Sequence, residues 1–237
     1  MNSQFERTEL MLGSEGIKRL NNSSVCVFGV GGVGSFVCEA LARMGIGKIT
    51  IVDNDTISIS NLNRQIIALH STIGKYKVDV MEERIKDINP SCNVVKYKCF
   101  YLPENKDDID FSSFDYIVDA VDTLSAKITI ISKAKELNIP IISSMGTGNK
   151  LNPQGFLVAD INQTSVCPLA RTLRYELKKR NIKGVKVVYS KEEPVELKEI
   201  KINEDNNKQI PASNSFVPSS CGLLIASEVI KDLLKEN

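Results

Sequence analysis

Apolar positions along this chain follow two periods in alternation. Ser24-Val25-Cys26-Val27-Phe28 and Lys48-Ile49-Thr50-Ile51-Val52 are short apolar runs rich in β-branched side chains, and they predict buried strands. Between them, Val33 to Met44 repeats its apolar residues at three- and four-residue spacing, which predicts a helix. The same reading predicts a helix from Lys77 to Asn89 that Pro90 stops, then strands from Val94 to Cys99 and from Tyr116 to Val121. A helix from Leu124 to Asn138 and a strand from Pro140 to Ser144 complete the series. Such alternation implies right-handed β-α-β crossovers, hence an α/β protein with a mostly parallel sheet and helices on both faces.

After Met145-Gly146-Thr147-Gly148 the rhythm changes. Gly155 to Ile161 reads as a strand able to run antiparallel, followed by a basic helix from Leu169 to Arg180 and a strand from Val185 to Ser190. Lys191 to Asn214 is charged and polar, carries Pro194 and Pro211, and predicts a mobile loop. Ser219 to Leu234 makes a last amphipathic helix. The expected organisation is a nucleotide-binding unit over residues 1–150, with 151–237 as a mixed α/β C-terminal extension of the same unit.

Composition alters little. With 30 Lys and Arg against 29 Asp and Glu, the formal charge is +1, so any surface for a polyanion has to be local. The six cysteines include no C-x-x-C pair, which argues against structural zinc; Cys26 and Cys38 are expected as buried free thiols. No uninterrupted apolar run reaches membrane length and the start is not signal-like, so a reduced cytoplasm and no membrane association are expected.

The chemistry begins at Gly29-Val30-Gly31-Gly32-Val33-Gly34, a G-x-G-x-x-G loop directly after a strand and before a helix. Glycine permits the tight turn and a close backbone approach to phosphate, whose charge meets the helix N-terminus. Asp53 ends the next strand, nineteen residues beyond Gly34, where a carboxylate can bond a ribose hydroxyl. Loop and carboxylate by themselves favour a dinucleotide such as NAD, and an NAD-dependent oxidoreductase is the serious rival. Asn61-Leu62-Asn63-Arg64-Gln65 adds amides and a guanidinium near the loop, Lys77 adds a point charge, and Asp122 stands just past the fourth strand. One Arg, one Lys and one Asp suit a triphosphate with a metal better than a nicotinamide.

These motifs resemble the MoeB/ThiF/HesA group, bacterial relatives of ubiquitin-activating enzymes. The likeness rests on Gly29-x-Gly31-Gly32-x-Gly34-Ser35, Asp53-x-Asp55, Ser60-Asn61-x-Asn63-Arg64-Gln65, Gly74-x-x-Lys77 and Asp122, in order and spacing through about residue 150. The resemblance implies a Rossmann-like adenylating enzyme: a substrate oxygen attacks the α-phosphate of ATP, pyrophosphate leaves, and Mg²⁺ bridges the phosphates. It further implies that Asp53 holds the ribose, with Asp55 and Asn61 beside it, and that Arg64 and Lys77 hold the phosphates. Asp122 then positions the metal or the attacking group. Arg7 matches an N-terminal arginine that reaches into the partner subunit's site, which implies a homodimer.

Within that group, Ser144 to Pro153, Cys167-Pro168-Leu169-Ala170-Arg171, Val187-Val188-Tyr189-Ser190 and Phe216-Val217-Pro218-Ser219 resemble the tRNA threonylcarbamoyladenosine dehydratase branch. That branch implies ATP-dependent cyclisation of the threonylcarbamoyl group on a tRNA adenosine, and a cysteine desulfurase or sulfur acceptor as a possible accessory partner. Adenylylation of a small sulfur-carrier or ubiquitin-like protein is the main alternative, against which the missing zinc-binding cysteine pairs count. A nucleotide-binding regulator without turnover is another. Residues 171–186 give partial independent support for RNA: Arg171, Arg174, Lys178, Lys179, Arg180, Lys183 and Lys186 stand against the single acid Glu176. Arg171, Arg174, Lys178 and Lys179 are the substrate-binding candidates, and Cys167 is the thiol to watch because it precedes this helix.

Overall fold

The computed structural model describes residues 3–203 and 208–235. Seven strands form one sheet in the order β3-β2-β1-β4-β5-β7-β6. They are β1 (Ser24–Phe28), β2 (Lys48–Val52), β3 (Asn93–Tyr97), β4 (Tyr116–Asp119), β5 (Ile141–Ser144), β6 (Phe156–Asp160) and β7 (Lys186–Ser190). All neighbours pair in parallel except β6, which runs antiparallel to β7 with Val158 opposite Val188. The α/β class and the mostly parallel sheet are as the hydrophobic pattern predicts. Because β7 pairs directly with β5, the C-terminal part continues the first sheet.

Strand alternation sorts the core into two layers. Val25 and Val27 of β1 point into the layer covered by α2 (Gly34–Arg43), α3 (Lys77–Ile88) and α6 (Val217–Leu234). Cys26 and Phe28 point to the other face, under α4 (Leu124–Glu136) and α5 (Pro168–Lys179). There Phe28, Tyr101 and Phe111 form an aromatic cluster, with centroids 4.9 Å apart for Phe28–Tyr101 and 5.6 Å for Tyr101–Phe111. Each such fully buried side chain contributes about 1.5–3 kcal/mol of hydrophobic stabilisation. This cluster anchors the floor of the cleft described below.

An N-terminal helix, α1 (Glu6–Asn22), was not expected from the pattern. Only Leu20 in it is buried, Gly13 breaks it with φ +72°, and Leu10 and Met11 face outward, so its apolar spacing carries little signal. Among the described residues, no helix is long and apolar enough to cross a membrane.

The stretch Lys191 to Asn214 corrects the expectation of a mobile loop, apart from residues 204–207, which lie outside the described residues. Glu192 accepts the N–H groups of Leu151 and Asn152 at 2.7 and 3.0 Å. Asn149, in the left-handed region at φ +57°, accepts the Val195 N–H and exchanges two further bonds with Ala212. Local polarity, which looked like solvation, is spent on closing backbone bonds. The segment therefore lies as a strap against the Gly146–Asn152 turn, and near its middle β8 (Ile202–Asn203) pairs antiparallel with β9 (Lys208–Gln209).

Candidate active site

The strand order reverses between β1 and β4, and in a parallel sheet that switch point opens a crevice beyond the strand carboxyl ends. A cleft of about 600 Å³ fills this place, within the usual range of small-ligand sites. The glycine loop leaves β1 and forms one wall. Gly29 has φ +86°, and an added Cβ there would meet Ala120 O at 2.8 Å. At Gly34 an added Cβ would lie 1.8 Å from Gly29 O, so this helix start tolerates no side chain. Ser35 N–H returns to Gly31 O at 3.0 Å. Among the described residues, the N–H groups of Gly31, Gly32 and Val33 have no protein acceptor. Free donors at a helix N-terminus suit phosphate oxygens.

Asp53 follows β2 directly, partly buried with its carboxylate turned inward. One carboxylate oxygen accepts Val30 N–H at 2.7 Å and the other accepts Asp55 N–H at 2.8 Å. Burial pushes this carboxyl above the usual aspartate range, against the opposing pull of Lys77 and the two backbone donors. Each oxygen keeps lone pairs for a further donor such as a ribose hydroxyl. Lys77, itself buried, bonds Asp55 at 2.6 Å and lies 3.9 Å from Asp53. Its three donors exceed these two partners.

Arg64 lies half-buried in the lining, where a Cβ on Gly32 would sit 3.4 Å from its Cγ. Its Nη1 donates to Ser60 O at 2.8 Å and to Asn63 Oδ1 at 2.9 Å, which fixes the fork and leaves its other edge open. Asn61 is buried and accepts Ser58 N–H at 3.1 Å, shaping the turn that aims Arg64. Asp122 is exposed on the opposite wall, past β4, with no cationic partner among the described residues; Thr123 Oγ1 donates to it at 3.4 Å. Glycine loop, Asp53, Asp55, Asn61, Arg64, Lys77 and Asp122 thus meet in one cleft. Among the described residues no cluster of three or more His, Cys, Asp or Glu forms a ready metal cage.

Other candidates lie elsewhere. Arg7 is exposed on α1, outside the lining. Arg174 Nη1 is occupied by Thr164 O at 2.8 Å and Thr164 Oγ1 at 2.7 Å, and Lys179 pairs with Glu176 at 3.1 Å. Arg171 and Lys178 are exposed without such partners among the described residues. Cys167 is buried in the lining as the N-cap of α5. It follows Val166 at φ +65°, an uncommon backbone for a β-branched residue.

Three features have roles that the sequence did not assign. Gln65 is buried in the lining and its Oε1 has no partner among the described residues, an acceptor left for a ligand or water. Asn149 is the hub that holds the strap. Beneath the Asp122 turn, fully buried Lys127 donates to Asp119 at 2.9 Å and to Ser144 O at 2.7 Å, while Ser143 Oγ also bonds Asp119 at 2.5 Å. This network ties the carboxyl ends of β4 and β5 together. A lysine eight residues after a strand-end aspartate was its only trace in the sequence.

Known proteins resemble this chain over nearly its whole length. A tRNA threonylcarbamoyladenosine dehydratase of Bacillus subtilis is 46% identical over 242 aligned residues, covering 98% of this chain and 95% of the relative. The crystal structure of the E. coli tRNA N6-threonylcarbamoyladenosine dehydratase in complex with ATP is similar with a TM-score of 0.88 at 32% identity, covering 98% of this chain and 93% of that one. The same enzyme in complex with AMP matches with a TM-score of 0.88 at 33% identity, over 98% and 94% of the two chains. Residues 4–237 match the ThiF family, and the chain belongs to that family.

Proposed function

We propose that this protein dehydrates N6-threonylcarbamoyladenosine in tRNA, using ATP to adenylylate the substrate carboxylate. The observation that carries this reading is one cleft holding free backbone donors, Arg64, Lys77 and a carboxylate, Asp122, without a cationic partner among the described residues. Relatives that match nearly the whole chain and bear this activity in their names support it.

In this reading the phosphates of ATP lie along the Gly31–Val33 N–H groups and the start of α2. Arg64 grips them with its free edge and Lys77 with its remaining donor, while Asp53 accepts a ribose hydroxyl. A substrate carboxylate oxygen attacks the α-phosphorus as the bond to pyrophosphate breaks. An internal nucleophile of the same modification then attacks the activated carbonyl and closes a ring. AMP leaves with the carboxylate oxygen, so one water equivalent is removed at the cost of one ATP cleaved to AMP and pyrophosphate. A single carboxylate facing phosphates fits Mg²⁺, which takes few protein ligands and would add positive charge to the phosphates. Asp122 is the residue to hold it.

The reading includes a homodimer. Arg7 projects from α1 beside Leu10 and Met11, which are 85% and 77% exposed, an apolar face suited to a second copy. It also places the protein in the cytoplasm with its tRNA substrate.

ATP–pyrophosphate exchange tests the assignment. Exchange stimulated by threonylcarbamoylated tRNA is expected. Exchange only with a carrier protein would move the activity to carrier activation, and NAD binding without any ATP effect would remove adenylylation altogether.

A further inference from the structure

A second, smaller cleft of about 320 Å³ lies between α4, the segment after β3 and the end of α5. Its wall carries Lys106, Lys133 and Arg180 against one carboxylate, Glu136. Lys106 is exposed and has no ion-pair partner among the described residues. Lys133 and Arg180 pair with rim carboxylates, Asp107 at 2.7 Å and Glu176 at 2.6 Å. Both cations sit where solvent weakens such pairs, so they can re-pair to an incoming anion. Ser132 also lines the cleft, and its hydroxyl is buried with no hydrogen-bond partner among the described residues. A hydroxyl in that state gains from an acceptor, and a rotation about its χ1 would present it to one in the cleft.

The position of this cleft decides what the acceptor is. Cys99, Phe100 and Tyr101 line the active cleft, and Pro103 and Lys106 of the same segment line the second one. On α4, Ala126 faces the first and Ser125 the second. The two clefts therefore share a wall made of the same two chain segments. A nucleoside reacting in the first cleft would have the second as a neighbouring surface across that wall.

Resting on the dehydratase reading, we propose that the second cleft binds a backbone phosphodiester of the RNA flanking the modified nucleoside. Lys106 and Ser132 are its direct ligands, and Lys133 and Arg180 supply the surrounding positive field. The cleft adds α4 and the segment after β3 to the exposed cations Arg171 and Lys178 of α5 as candidate RNA contacts.

The test compares Lys106→Ala, Ser132→Ala and a remote control, Lys231→Ala, in the full-length protein. Direct binding of threonylcarbamoylated tRNA is measured over a range of salt concentrations, alongside steady-state turnover and thermal melting. Lys106→Ala is expected to weaken tRNA binding on the order of fivefold and to lower the log–log salt slope by about 0.7–0.9, one phosphate contact. Ser132→Ala should weaken tRNA binding while leaving the melting temperature unchanged or higher, because it deletes an orphaned hydroxyl. Both should raise the KM for tRNA with kcat and the KM for ATP unchanged. Wild-type affinity and wild-type salt slope in both variants would overturn the proposal. If the wild-type protein binds tRNA but shows no tRNA-dependent AMP formation, the dehydratase reading fails. The binding arm still reports whether the cleft holds a phosphate.

Discussion

Lys127 makes a sharp test of how the site is held. Its ammonium and the Asp119 carboxylate are both fully buried, 2.9 Å apart, with Ser144 O at 2.7 Å and Ser143 Oγ at 3.3 Å completing the ammonium's shell. Lys127→Met keeps the side-chain volume but strands Asp119 with only the Ser143 hydroxyl and a 3.3 Å contact to Val121 N–H. Removing one partner of a buried pair costs about 3–5 kcal/mol, because the remaining charge stays desolvated. For a chain of this size each kcal/mol moves the melting temperature by roughly 2–4 °C, so a fall of roughly 6–20 °C is expected. Adding Asp119→Asn removes the stranded charge, and the double variant should recover at least half of the lost stability. Urea unfolding of the wild type, both single variants and the double variant gives the cycle. A loss under about 1 kcal/mol for Lys127→Met, or a double variant that merely sums the two singles, would refute the argument. Because the network lies under the Asp122 turn and the Gly146 turn, kcat should remain depressed in the double variant even after stability returns.

Other outcomes follow from the same geometry. Asp122→Ala should lower kcat by about 10²–10³-fold while sparing ATP and tRNA binding, measured by single-turnover kinetics and direct titration. Arg64→Ala should raise the KM for ATP roughly tenfold or more through loss of a charged hydrogen-bond fork, with little change in tRNA affinity. Gly34→Ala should abolish nucleotide binding in calorimetry, since the new Cβ collides with Gly29 O. Burial pushes the Cys26 and Cys38 thiols up, and the Cys221 thiol up to about 12. At pH 8 only about one part in ten thousand of Cys221 is then thiolate, so these three should resist alkylation until the protein unfolds. Half-exposed Cys99 should react first.

Much of this architecture is readable from local pattern. β1, β2 and the helix after the glycine loop emerge because fully buried parallel strands concentrate β-branched residues and the loop has its own glycine grammar. The meeting of Arg64, Lys77 and Asp122 is legible as well, since each follows a strand or loop whose place in a parallel sheet is set by topology. What escaped depends on contacts remote in the chain. α1 hides because it buries one residue, and the strap because its polar groups find partners some 40 to 64 residues away. The basic run in α5 overstated its free charge: Arg174, Lys179 and Arg180 hold intramolecular partners that only the fold reveals. Charge counts along a sequence cannot distinguish a cation that pairs with its own helix from one left open.

The central claim is that the cleft couples ATP cleavage to ring closure on RNA. Mass spectrometry of nucleosides from threonylcarbamoylated tRNA, run in parallel with quantitation of AMP, tests it most directly. One molecule of water lost from the modified nucleoside for each AMP formed is expected, with both products absent when ATP is withheld and both formed about 10²–10³-fold more slowly when Asp122 is replaced by Ala. ATP-independent water loss, or AMP formation that leaves the nucleoside mass unchanged, would contradict it.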